Sequence, residues 1–181
     1  MRYGLIQELN LDDPSYFVQP PEMLLLLRIF DQLFFFGELS RTQIAFHWEY
    51  DLVVPDLSGL GQHSHAHLPA KNTWKHVLRM HRTRESELRS CTLASERLGT
   101  LLRMMLWSFQ YQFVCRTCFT AFAHSTAYGW FFQKVARAIE DNAERLLGMP
   151  VDLGRMQGLL EAMRVGQDDA SMHALREFGF M

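Results

Sequence analysis

The stretch from about Leu93 to Phe113 constrains this chain most. Leu98, Leu101, Leu102, Met105, Leu106, Phe109 and Phe113 recur at three- and four-residue steps. At 100° per residue they fall on one side of a helix, with Arg103, Trp107 and Tyr111 on the other. An apolar side of that kind has to be buried against a second layer of structure.

Several other segments can build that layer. Pro20-Pro21-Glu22 opens an earlier helix, because proline is tolerated in the first turn and a carboxylate suits the positive helix end. The helix runs to about Phe36 and stops at Gly37, with Leu26, Ile29, Phe30, Leu33 and Phe34 toward the core. Ile44, Phe46, Trp48 and Tyr50 alternate with smaller or polar residues, the period of a half-buried strand. Gly59, Gly61 and the run His63-Ser64-His65-Ala66-His67 read as a loop or turn between strands, and Thr73–His81 as a second strand. Cys115–His124 reads as a connector. A last long helix is expected from about Thr126 to Leu147, with Phe132, Val135, Ala136, Ile139, Ala143 and Leu146 as its stripe and Gly148 as its stop. Asp152–Val165 suits a short extra helix, and the tail after Gly166 frays.

The expected fold class is therefore α+β, with helices packed on a small antiparallel or mixed sheet. The 181 residues suit one domain with a real core. Its parts are an irregular segment 1–19, the main domain 20–150 and a short helical extension 151–181.

Charge is close to balanced overall, at −2. Residues 61–114 nevertheless hold eight Lys/Arg against three Asp/Glu, while residues 1–60 hold three against nine. Lys71, Lys75, Arg79, Arg82, Arg84 and Arg89 form the basic stretch, with Trp74 among them. Such a run is ordinarily a solvated face, and contact with a nucleic-acid backbone is the alternative. Glu85 and Glu87 dilute the patch, and no nucleic-acid-reading motif is present.

Other chemistry is thinly represented. Cys91, Cys115 and Cys118 do not make a disulfide framework. Cys115-x-x-Cys118 is half of a zinc-knuckle spacing, with His124 as a third candidate ligand and no fourth, so buried free thiols are the preferred reading. His63, His65 and His67 could meet one metal from an extended strand, but no carboxylate lies nearby. A polar surface loop is the preferred reading there, and for His76 and His81 ordinary half-buried or exposed histidines. There is no Gly-x-Ser-x-Gly elbow and no Gly-rich phosphate loop. The apolar stretch Met23–Phe36 is interrupted by Arg28, Asp31 and Gln32 and is too short for a membrane span. With no leader pattern at the start, a reducing intracellular location is expected.

The run Phe30-Asp31-Gln32-Leu33-Phe34-Phe35-Phe36-Gly37-Glu38-Leu39 resembles the opening helix of SprT-like domains, a zincin-type metalloprotease family. Ile44–Trp48 is similar to the strand that follows there. Thr100-Leu101-Leu102 looks like the lead-in to the family's zinc helix, which continues His-Glu-x-x-His. Here the continuation is Arg103-Met104-Met105-Leu106-Trp107. The family's third ligand lies in a Gly-His-Gly-x-x-Phe type segment, and the matching stretch is Ala127-Tyr128-Gly129-Trp130-Phe131-Phe132. The resemblance covers roughly residues 22–150.

The resemblance implies a degenerate zinc site at Arg103, Met104, Trp107 and Tyr128. Arg103 stays protonated and cannot ligate, Met104 has no acid–base function, and Trp107 offers only an N–H donor. Tyr128 alone is not a site, since a catalytic zinc needs three protein ligands. The expectation is an inactive pseudo-metalloprotease without a cofactor, serving as a binding or scaffolding module for an unidentified protein partner. The old cleft is expected to be filled by Arg103 stacking on aromatic faces, and a reshaped pocket for a ligand or peptide is the alternative. A metal-dependent hydrolase with a relocated site and a DNA-associated accessory protein are the competing functions. Nuclear placement rests on the resemblance only, and homo-oligomerisation stays open.

Overall fold

The computed structural model describes residues 20–41, 43–49, 61–68, 73–81, 94–113, 128–164, 175–176 and 178–180. Cys91, Cys115, Cys118, His124, Lys71, Arg82, Arg84 and Arg89 lie outside the described residues, so the readings placed on them stay as sequence readings.

Helix α1 (Pro20–Phe34) ends two residues earlier than its apolar pattern suggests. The cause is local. Phe36 and Gly37 both take positive φ, 58° and 77°, and the Gly37 amide donates back to the Asp31 carbonyl at 3.0 Å. That is a left-handed helix stop, with a phenylalanine where glycine is usual. The Asp31 carboxylate then accepts from the Leu39 and Ser40 amides at 3.0 and 2.7 Å, and from the Ser40 hydroxyl. It caps the single 3-10 turn Leu39–Arg41. Leu26 and Phe30 are fully buried, whereas Ile29, Leu33 and Phe34 are only partly so.

Three described segments are extended and hydrogen-bonded: β1 (Gln43–Glu49), β2 (Gly61–Leu68) and β3 (Thr73–His81). Their order is β1-β3-β2, with β1 parallel and β2 antiparallel to the central β3. The run His63–His67 is thus strand and not loop. Its sequence hides this, because Gly, Ser, Ala and His carry little strand propensity, while its pairing with β3 supplies the backbone partners.

Helix α2 (Ala94–Phe113) lies against β2, β3, α1 and the third helix, α3 (Trp130–Leu147). A helix covered on so many sides is buried nearly all round. Leu98, Leu101, Leu102, Met105 and Leu106 are core residues as the stripe requires, and so are Arg103, Met104 and Trp107 on the other sides. Cover thins toward the far end, where Phe109 is partly buried and Phe113 is exposed.

Helix α3 starts at Trp130 and not near Thr126, and it ends where Gly148 takes φ 79° as a left-handed cap. Phe132, Ala136, Ile139 and Ala143 are buried, with Val135 and Leu146 packed against the core more loosely. Residues 151–154 then lead into α4 (Arg155–Arg164). Val151, Leu153 and Leu159 are buried, so this segment shares the core of the helices. Four helices make up most of the described residues, and none of them is long and apolar enough to cross a membrane.

Candidate functional site

The four positions singled out in the sequence come together. Arg103, Met104 and Trp107 occupy one turn of α2, and Tyr128 stands just before α3. The Trp107 and Tyr128 rings meet edge to face at 5.4 Å between centroids, with an interplanar angle of 79°. Tyr128 meets Phe132 in the same way at 5.1 Å. The Arg103 guanidinium carbon lies 5.8 Å from the Trp107 ring centroid. Edge-to-face pairs contribute about 0.5–1.5 kcal/mol each beyond burial, and a desolvated cation over an indole about 2 kcal/mol.

The cluster is closed to solvent. Arg103 is 2% exposed and Trp107 and Tyr128 are 8% each, while Met104 is fully buried. Met104 takes no part in polar chemistry; the Ser108 hydroxyl donates to its backbone carbonyl at 3.1 Å. Arg103 donates to the Thr100 hydroxyl at the long distance of 3.5 Å. A cavity of ≈ 170 Å³, lined among others by Leu27, Asp31, Leu39 and Met105, opens on the α1 side, and none of the four residues lines it.

What seals the cluster is the segment leading into α4. A Cβ added to Gly154 would sit 2.6 Å from Arg103 Nη1, and one added to Gly158 would sit 2.0 Å from Tyr128 Cδ1. Both glycines therefore let backbone lie directly on the side chains below. Gly154 also has φ +72°, a conformation costly for other residues. At the near end of α2, a Cβ on Gly99 would fall 2.0 Å from the Asp152 carbonyl oxygen. The segment runs across the cluster with no room for a water layer at these three points.

Buried polar groups hold the segment in place. Gln133, fully buried on α3, donates from Nε2 to the carbonyls of Tyr128 and Arg155 at 3.2 and 3.1 Å. One amide thus joins the turn before α3 to the first residue of α4. Glu140 accepts from the Leu153 amide at 2.9 Å and pairs with Arg155 Nη1 at 3.1 Å. Arg155 reaches onward to the Phe178 carbonyl and stacks on Phe180 at 4.8 Å.

Burial pushes the Glu140 carboxyl above its ordinary value, although its bonds to Leu153 and Arg155 pull the other way. The folded protein therefore holds that proton more tightly than the unfolded chain does. Glu140's contribution to stability declines as pH rises from the ordinary carboxylate value, about 4.3, to the raised one, and is level above it. Urea unfolding across this window should show the parent chain losing stability with pH relative to Glu140→Gln. A parallel pair of curves would mean that the carboxyl is not perturbed.

Sequence reasoning did not single out Gly154, Gly158, Gln133, Glu140 or Arg155. One signal was present: Gly158 inside a helical segment lowers helix propensity and often marks a close approach. The histidines are placed by backbone register. His63, His65 and His67 stand opposite Leu78, His76 and Trp74 on β3. Lys75 and Arg79 hold alternate positions on β3, opposite Gln43 and His47 of β1.

No family model matches this chain, and neither a curated protein nor a solved structure is similar enough to count as a match.

Proposed function

We propose that the chain is an inactive, SprT-like pseudo-metalloprotease of zincin-type α+β architecture that works as a binding or scaffolding module. The observation that carries this reading is the packed set Arg103, Trp107 and Tyr128, sealed beneath Gly154 and Gly158. Zinc hydrolysis requires three ligands, an open coordination position and a base for the bound water. At these positions stand a cation without a lone pair, an indole and a phenol, with a thioether where the base belongs. The strap of residues 151–158 lies directly on Arg103 and Tyr128, which leaves the cluster little exposed surface for a metal or a substrate.

A binding role draws support from the outer surface. Leu24 and Leu25 on α1, Trp130 on α3, and Met156, Leu160 and Met163 on α4 are large apolar side chains left exposed. Exposed apolar residues grouped along helix faces suit protein contacts better than contacts to a phosphate backbone. A protein partner is therefore favoured over DNA. The reading is tested by offering casein and histones to the purified chain with zinc supplied. No cleavage above the zinc-only control is expected.

A further inference from the structure

Helix α1 and the turn after it frame the cavity of ≈ 170 Å³ that none of the cluster residues lines. Leu27, Leu39 and Met105 are buried and form its apolar floor, while Leu24, 50% exposed, makes an open wall. An apolar cavity of about 150 Å³ takes up a benzene molecule, so this one has room for one large apolar side chain. It is smaller than the pockets of roughly 300–1,000 Å³ that enclose whole small molecules.

Two charged residues also line the cavity, and one of them is available to a partner. The Asp31 carboxylate already accepts from the Leu39 and Ser40 amides and from the Ser40 hydroxyl. Arg28, one turn beyond Leu24, is exposed at the mouth and makes no ion pair among the described residues. The opening therefore presents an apolar socket beside an uncompensated cation. Charge complementarity calls for a ligand that carries an apolar group next to a carboxylate.

Phe36 supplies an independent observation. Its side chain is 85% exposed and its backbone sits at φ 58°. A bulky residue in that conformation is a genuine outlier, and such strain gathers at ligand clamps and binding sites. Glycine would fill the position without the strain and without placing a ring in solvent. Phe36 is three residues from Leu39, so their Cα atoms lie within about 11 Å of each other. About four extended residues of a peptide seated in the cavity cover that distance.

We infer that this face of α1 is a docking site for a short acidic segment of a partner protein. One apolar side chain fills the cavity, an adjacent Asp or Glu pairs with Arg28, and the segment runs on across Phe36. The inference rests on the binding half of the proposed function and not on the lost zinc chemistry. Zinc-dependent cleavage would remove the latter and leave this site standing, whereas failed docking would leave the inactive cluster untouched.

The test pans a random heptapeptide display library against the full, untagged chain and measures the enriched peptides by fluorescence polarisation. Enrichment of an apolar residue flanked by Asp or Glu is expected, with binding that weakens as salt is raised. Arg28→Glu should weaken those peptides by about tenfold, the loss of one exposed pair plus one new repulsion. Panning against that variant should select Lys or Arg in place of the acid. Phe36→Gly should weaken the peptides about fivefold, the loss that marks a contributing interface residue, while the unfolding midpoint stays level or rises. A merely structural residue would not part those two readouts. The inference is overturned by a library that yields no enrichment, by enriched peptides without an acidic residue, or by acidic peptides that bind Arg28→Glu or Phe36→Gly undiminished. Hexanoate binding at Arg28 with no peptide selected would overturn it as well, marking a site for free small carboxylates.

Discussion

Replacing Trp107 with alanine should cost about 3–5 kcal/mol, the usual range for deleting a buried large aromatic side chain. That is a large share of the roughly 5–15 kcal/mol that holds a whole domain together. The ring touches Tyr128 and Phe132 and carries Arg103 over its face. Truncation removes the edge contacts and leaves the guanidinium over a void. Trp107→Phe keeps an aromatic ring of smaller size and should lose well under half as much. Chemical denaturation of the two variants measures both values. A loss below about 1 kcal/mol for the alanine variant, the cost of an average substitution, would mean that Trp107 is not packed as described.

Gly158→Ala should destabilise by about 1–3 kcal/mol, the ordinary cost of forcing one more methyl into a filled space. Gly-to-Ala inside an exposed helix does the opposite, stabilising it by about 1 kcal/mol. The sign of the effect is therefore diagnostic. The added Cβ would overlap the Tyr128 ring at Cδ1 and Cγ, at 2.0 and 2.3 Å. A rigid ring pinned by Trp107 and Phe132 has little freedom to retreat. In a Tyr128→Ala background the clash disappears, and the same Gly158→Ala substitution should become neutral or favourable. A double-mutant cycle reads the difference as coupling. Additive effects would show that α4 does not lie on Tyr128.

These two predictions concern a region that the sequence showed only in part. The α2 stripe was legible because seven large apolar residues keep one period over the sixteen positions from Leu98 to Phe113. The end of α3 was legible because Gly148 is a familiar helix stop. By contrast, Arg103 and Trp107 fall off the main stripe, and nothing local says that a second set of elements covers that side as well. The cover comes from Val151, Leu153 and Leu159, too few apolar residues to announce a core segment. Gly154 and Gly158 mean close approach only once Arg103 and Tyr128 are known to lie beneath them. Gln133 and Glu140 look like ordinary polar positions of an amphipathic helix until their partners, 22 and 13 residues away, are in view.

The strand of histidines failed to read for a different reason. Strand assignment from sequence rests on β-branched and aromatic residues, and Gly61–Leu68 has none. Its structure is imposed by pairing with β3, a long-range contact that local pattern does not encode. The cross-strand match of His65 with His76 follows from register, which a one-residue slip would abolish.

The central claim concerns Arg103, Trp107 and Tyr128. It is tested most directly by incubating the purified chain with zinc and casein or histones, beside Trp107→Phe and Tyr128→Phe, and following cleavage by mass spectrometry. The account predicts background cleavage for all three proteins. Zinc-dependent cleavage by the parent chain that is lost in either variant would contradict it.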